Sequence, residues 1–281
     1  MSAVSPSKLE ALRAGLAKHR AVVVAFSGGV DSAFVLAVAH QVLGERVLAV
    51  TAVSESVPES EVEGARDFAA SLGARHRWVT SQELANEAYA ANGTDRCFHC
   101  KSELYALCLQ VAREEGGATV LDGFNADDRS DHRPGHVAAR EAGVISPLDD
   151  ADLSKEEIRA LSRAMGLSTW DKPAMPCLAS RLPYGTTVTA ERLRKVGKAE
   201  ASLRSLGFRV FRVRYHGDVA RLEFAADESP RLVDEGLRAS VDAGVKAAGF
   251  RFVAVDLEPF RSGRMNDAVR APLKGMSLAV L

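Results

Sequence analysis

The chain has 281 residues, 47% hydrophobic and 26% charged, enough to bury a core in one large domain or two ordinary ones. A formal net charge of -1 excludes a surface built mainly to grip nucleic-acid phosphates, so no nucleic-acid partner is expected, although local basic patches stay open. No apolar run is long enough to span a bilayer and the first residues carry no signal-peptide core. A cytoplasmic protein without a membrane partner is the expectation.

Ser5-Pro6 opens a helix with Leu9, Leu12 and Leu16 on one stripe. The unbroken apolar run Ala21 to Phe26 predicts a strand buried on both faces, as in a parallel sheet. A glycine turn follows, then a helix from about Asp31 to Leu43 and a strand from Val47 to Val53. The pattern repeats with a helix over about Pro58 to Leu72, a weaker strand at His76 to Val79, a helix over about Lys101 to Glu115, and a strand at Ala118 to Leu121. Ser154 and Glu157 form a capping box for a helix carrying Ile158, Leu161 and Met165, which Gly166 ends.

Beyond the Pro-rich stretch Lys172 to Pro183 the grammar changes. A helix over about Thr189 to Leu206 leads to two strands joined by His216-Gly217-Asp218, then a helix over about Pro230 to Ala248 and a strand at Phe250 to Leu257. The expected fold class is α/β, a doubly wound, mostly parallel sheet over residues 1–170. A linker at 171–188 carries Cys177, and a smaller α+β domain follows at 189–281.

The turn between the first strand and its helix reads Ser27-Gly28-Gly29-Val30-Asp31-Ser32. Two glycines let the backbone approach an anion, and the N–H groups at the start of the helix point at it. Ser27 and Ser32 add hydroxyls, and Asp31 either caps the helix or assists a bound metal ion. The string fits neither the Walker loop nor the dinucleotide fingerprint. It resembles the signature of the PP-loop ATP pyrophosphatases, which implies ATP and Mg2+, cleavage between the α and β phosphates, and an adenylated intermediate. Leu121-Asp122-Gly123-Phe124-Asn125-Ala126-Asp127-Asp128 is similar to a second stretch of that superfamily, where a carboxylate positions Mg2+ or the acceptor. Taken alone, the same stretch also reads as an Asx-rich loop.

Four cysteines are too few for a disulfide framework in a chain this long. Cys97-Phe98-His99-Cys100 is a CxxC just before a helix, Cys177 lies in the Pro-rich segment, and Cys108 reads as a buried helical thiol. A structural zinc site including His99 is one use of the CxxC, although a ligand inside the motif strains the geometry.

Several further segments carry a narrower resemblance: Asp131-His132-Arg133-Pro134-Gly135, Cys177 with Ser180-Arg181, Pro183-Tyr184-Gly185-Thr186-Thr187, Arg212-Val213-Arg214, Ala220-Arg221-Leu222-Glu223 and Phe260-Arg261-Ser262-Gly263-Arg264-Met265-Asn266. With the phosphate loop, and in this order over nearly the whole chain, they resemble the ATP-dependent sacrificial sulfur transferase LarE family. The resemblance implies adenylation of a carboxylate of pyridinium-3,5-biscarboxylic acid mononucleotide and its conversion to a thiocarboxylate, in the biosynthesis of the nickel-pincer nucleotide of lactate racemase. It also suggests a homo-oligomer, with the domain at 189–281 serving substrate binding and oligomerisation. In single-cysteine members the cysteine matching Cys177 attacks the adenylate and gives up its sulfur, leaving dehydroalanine. This chain departs from that pattern by adding Cys97 and Cys100. Three cysteines suit three irons of a 4Fe-4S cluster whose fourth iron carries sulfide from an external source, the reading favoured over a sacrificial Cys177.

On the helix from Thr189, Glu200 interrupts the apolar stripe of Leu193, Val196 and Leu203, so it needs a cation or a functional reason. Strand alternation puts Arg212 and Arg214 on one face, and Arg221 and Glu223 on one face of the next strand. Spacing alone favours a solvated hairpin with ordinary ion pairs. The resemblance instead favours an anion site for substrate, with Glu200 orienting an arginine. Lys101 and Arg181, beside the cysteines, read either as cations for phosphate or adenylate charge or as surface residues. A PP-loop tRNA thiolase, another adenylating enzyme and a non-catalytic ATP- or metal-binding regulator are the competing functions.

Overall fold

A computed structural model describes residues 6–130, 134–261 and 263–264. Ser5, Asp131, His132, Arg133, Ser262, Met265 and Asn266, named above, lie outside the described residues. The chain divides into two compact units, Met1–Cys177 and Leu178–Leu281.

The first unit runs through α1 (Pro6–Leu16), β1 (Val22–Ala25), α2 (Val30–Leu43), β2 (Val47–Val53), α3 (Glu59–Ser71) and β3 (Arg75–Thr80). It continues with α4 (Glu87–Ala90), α5 (Arg96–Glu114), β4 (Thr119–Leu121), α6 (Pro134–Glu141), α7 (Pro147–Asp150) and α8 (Lys155–Ala164). The four strands are parallel in the order β3-β2-β1-β4, with Val22 paired to Val47 on one side and Thr119 on the other. Leu121 also bridges in parallel to Ile145, extending the β4 edge.

Alternation along β1 accounts for its uniformly apolar sequence. Val22, Val24 and Phe26 pack into one core with Phe34, Ala65, Phe68 and Ile158, while Val23 and Ala25 face another with Tyr105, Cys108 and Val111. Each large apolar side chain so buried contributes about 1.5–3 kcal/mol before entropy is counted. The sheet is therefore covered on both faces, and the doubly wound expectation holds. Because α2 is buried nearly all round, its sequence shows no polar stripe.

The second unit contains α9 (Ala190–Ser205), β5 (Phe211–His216), β6 (Val219–Phe224), α10 (Glu235–Ala247) and β7 (Phe252–Val255). Its sheet has the order β5-β6-β7, antiparallel across the hairpin and parallel between β6 and β7. Gly217, at φ 64°, supplies the left-handed residue of the two-residue hairpin loop. Leu193, Val196, Ala199 and Leu203 form the buried stripe of α9, with Thr189 capping its start through the Arg192 amide.

Three boundaries differ from expectation. Helix α5 starts at Arg96 rather than near Lys101, so the CxxC lies inside its first turns. The reason is that Phe98 and Leu104 already pack on the core, so the apolar stripe begins ahead of Lys101. The expected helix from Pro230 is a short 3-10 turn (Ser229–Val233) followed by α10, because the Asp234 side chain accepts from the Leu237 amide and restarts the helix. Strand β7 is shorter than Phe250 to Leu257. Among the described residues, no helix is long and apolar enough to cross a membrane.

Candidate active site

The glycine turn connects β1 to α2. Gly28 has φ 72°, and a Cβ there would come within 3.0 Å of the Ala65 Cβ and 3.2 Å of its Cα. Only glycine satisfies both the left-handed backbone and the close approach of α3. The Ser27 and Ser32 hydroxyls lie 3.1 Å apart, the Ser27 amide donates to Ser32 Oγ at 3.2 Å, and Ser32 Oγ donates to the Gly29 carbonyl at 3.3 Å. Gly29 occupies the N-cap position of α2 and provides no side-chain cap, so the helix presents amide N–H groups to an incoming anion. The Gly28→Ala variant is expected to lose about 1–3 kcal/mol of stability, read by thermal denaturation, and to bind ATP more weakly.

Asp31 does not cap α2; that expectation is corrected. Gly29 holds the N-cap position, Asp31 is the second helical residue, and its carboxylate pairs with the Lys155 ammonium instead. Asn125 Nδ2 donates to the same carboxylate at 3.4 Å. Asp127 in turn accepts from the Lys155 amide at 2.8 Å. The second motif thus folds against the first. A Cβ on Gly123 would lie 2.9 Å from the Ser32 nitrogen and 3.2 Å from the Asp31 Cβ, which is why glycine stands there. Asp122 is buried and accepts from the Tyr105 hydroxyl at 3.0 Å and the Phe124 amide at 3.1 Å. Burial pushes its carboxyl pKa up, against these hydrogen bonds.

Sequence reasoning missed two lysines at this loop. Lys155 reaches Asp31 across 124 residues, and Lys172 donates to the Gly28 carbonyl at 3.0 Å across 144. Lys172 also pairs with Glu61 of α3 at 3.0 Å. Neither contact leaves a local signal in the sequence.

The cysteines fall on two elements. Cys97 is exposed and Cys100 half-buried, one turn apart on α5, while Cys177 is half-buried at the end of the first unit. Burial, then the Glu83 carboxylate, raises the Cys100 thiol, and Cys177 adds a smaller rise. Tyr89, whose hydroxyl lies 2.6 Å from Ser56 Oγ, is raised by burial and next by Cys177. Lys101, next to Cys100 on α5, offsets part of the rise at Cys100, Cys108 and Asp122. His99, the possible zinc ligand, lies 3.2 Å from Asp95. Among the described residues, no three His, Cys, Asp or Glu side chains converge as for a metal ion.

Cys108 is wholly buried, and burial pushes its thiol up to about 12. In native protein exposed to iodoacetamide for timed intervals, Cys97 should be modified at least about tenfold faster than Cys108, as read by peptide mass spectrometry.

In the second unit, Glu200 has the cation its position demands. Arg181 Nε and Nη2 donate to its two oxygens at 2.8 and 2.9 Å, and the Val213 amide donates to Oε1 at 3.2 Å. Arg181 is fully buried, so the surface-cation alternative fails. Arg214 donates twice to Glu223 Oε2, at 3.0 and 2.8 Å, and once to the Ser180 carbonyl at 3.0 Å. Arg212, Arg214 and Glu223 are all buried, so the solvated-hairpin alternative fails as well. The physical reason is that the paired guanidinium and carboxylate groups satisfy one another away from water. Arg221 pairs with Glu223 at 3.1 Å from the more exposed side. Arg212 stacks over Phe260 at 4.5 Å and is pushed down to about 10 by burial and then by Arg181. Among the described residues, three buried arginines and two buried glutamates make up this cluster, and arginine forks are suited to an anionic group.

A family model described as asparagine synthase matches residues 9–130. The chain is 40% identical over 264 residues to the pyridinium-3,5-bisthiocarboxylic acid mononucleotide synthase of Lactiplantibacillus plantarum, covering 94% of this chain and 95% of that protein. It is 43% identical over 260 residues to an uncharacterized protein of Synechocystis sp., covering 92% and 97% respectively. A protein of Methanocaldococcus jannaschii is 24% identical over 245 residues, 87% of this chain and 92% of its own length. With the parallel sheet and its glycine turn, these matches define an enzyme of the PP-loop ATP pyrophosphatase class. The chain belongs to the LarE family of ATP-dependent sulfur transferases.

Proposed function

We propose that this enzyme adenylates a carboxylate of pyridinium-3,5-biscarboxylic acid mononucleotide and converts it to a thiocarboxylate, toward the nickel-pincer nucleotide of lactate racemase. The observation that carries the reading is the loop Ser27 to Ser32 at the side-chain-uncapped start of α2, with Asp122-Gly123 folded against it. The likeness to the Lactiplantibacillus plantarum synthase along most of both chains supports the substrate.

In this mechanism a substrate carboxylate oxygen attacks the α-phosphorus, the bond to the bridging oxygen breaks, and pyrophosphate leaves. The amides from Gly28 to Ser32 and the Ser27 and Ser32 hydroxyls hold phosphate oxygens, with Lys101 adding positive charge. Asp31 and the phosphates suit Mg2+, which commonly takes one or two carboxylates plus phosphate oxygens; bound there, it would neutralise charge on the leaving group. Arg212 and Arg214 hold the substrate's anionic group, kept in place by Glu223, while Glu200 orients Arg181. Sulfur then attacks the acyl carbon and AMP leaves.

Cys97, Cys100 and Cys177 are the thiols that would hold a 4Fe-4S cluster. Thiolate chemistry and the one-turn spacing of Cys97 and Cys100 on α5 support this donor set. The cluster would supply sulfide bound at its remaining iron. The enzyme works as a cytoplasmic homo-oligomer fed by a sulfide source.

Anaerobic purification with iron and sulfide analysis, followed by protein mass before and after turnover, tests the reading. An iron-loaded protein of unchanged mass is expected. Loss of about one H2S, roughly 34 Da, at Cys177 would instead identify that residue as a sacrificial donor. Pyrophosphate release on adding the pyridinium substrate separates the enzyme from a non-catalytic ATP-binding regulator, and release on adding only tRNA would point to a thiolase.

A further inference from the structure

The Lys172 ammonium sits at the lip of the phosphate loop, 3.0 Å from the Gly28 carbonyl and 3.0 Å from Glu61 Oε2. Its main chain is fixed separately. Arg159 of α8 donates to the Trp170 carbonyl at 2.7 Å and to the Lys172 carbonyl at 2.8 Å, and the Lys172 amide donates to Thr169 at 3.1 Å. The side chain therefore swings from an anchored base. It borders a cleft of about 460 Å³ shared with Ser60, Glu61, Gly64, Asp67 and Thr169, so the ammonium has room to move.

The chemistry of its two partners is telling. A carbonyl oxygen and one half-buried carboxylate hold the ammonium beside amides that await an anion. A triphosphate arriving there brings several negative charges to the same lip, and a lysine is a point charge on a flexible stem that follows the stronger field. We propose that Lys172 is a phosphate ligand for the nucleotide, held in reserve by Glu61 until ATP binds. Glu61 is then a competitor for the cation, and its removal favours ATP, the opposite of what a supporting strut would do. The proposal rests on the ATP-dependent reading above.

The test is calorimetric titration of the full-length protein with Mg-ATP and, separately, with adenosine, for the wild type, K172Q, K172R and E61Q. Because a charge-assisted hydrogen bond is worth about 1.5–3 kcal/mol, K172Q should weaken Mg-ATP binding roughly 10- to 100-fold while leaving adenosine unchanged. K172R should recover part of the loss, and E61Q should bind Mg-ATP as tightly as the wild type or a few-fold tighter. Parallel loss of ATP and adenosine in K172Q, or ATP affinity within about twofold of wild type, overturns the proposal. E61Q binding as poorly as K172Q overturns it independently, whatever the stability of K172Q. A wild-type protein that binds no Mg-ATP overturns the functional reading as well, whereas normal binding in both wild type and K172Q removes only the role of Lys172.

Discussion

Replacing Cys177 with alanine is expected to leave substrate-dependent pyrophosphate release within a few-fold of wild type while lowering thiocarboxylate formation by about 10³-fold or more. The two half-reactions use different groups. On the proposed mechanism adenylation depends on the loop from Ser27 to Ser32 and the Asp122-Gly123 segment folded against it. In the same proposed mechanism sulfur transfer depends on Cys177, the half-buried thiol that ends the first unit. The Cys97→Ala and Cys100→Ala variants then divide the sulfur chemistry. A cluster requires both, so each should lose thiocarboxylate formation and iron together, whereas a sacrificial Cys177 acts without them. Paired assays of pyrophosphate and thiocarboxylate, with iron content, read all three variants.

The second large effect is on stability. Glu200→Ala is expected to cost about 3–5 kcal/mol, because it strands the Arg181 guanidinium in a site closed to water. Arg181 and Glu200 are 0% and 1% exposed, and the carboxylate accepts from two of the three guanidinium nitrogens and from the Val213 amide. For a unit of this size the loss corresponds to a drop of roughly 10 °C or more in the thermal midpoint. The double variant R181M/E200L, which removes both charges and keeps apolar volume, should recover much of that stability. If it is stable yet inactive, the pair serves substrate as well as packing. If Glu200→Ala melts like the wild type, the buried pair is not a stabilising unit.

The contrast between these residues explains what the sequence discloses. Glu200 was visible as a carboxylate breaking an apolar helical stripe, because helix periodicity is local. Its partner was not, since nothing around Arg181 tells a buried guanidinium from a surface one until α9 is folded onto it. The phosphate loop was legible for the same local reason: strand, glycine turn and helix lie in consecutive residues. Lys155 and Lys172 escaped because each meets the loop across more than a hundred residues. The CxxC was found but set before α5 rather than within it, because Arg96, Cys97, His99 and Lys101 look like loop until Phe98 and Leu104 are seen on the core. The arginines of β5 show a different limit. Alternation put Arg212 and Arg214 on one face, but period two does not say whether that face is wet or dry.

The central claim is that a substrate carboxylate attacks the α-phosphorus of ATP held at the loop from Ser27 to Ser32. Substrate labelled with heavy oxygen in its carboxylates, incubated with the enzyme, Mg-ATP and sulfide, tests it directly by mass spectrometry of the nucleotide product. One labelled oxygen in AMP for each thiocarboxylate formed is the predicted result. Unlabelled AMP, or ADP and phosphate as products, would contradict the account.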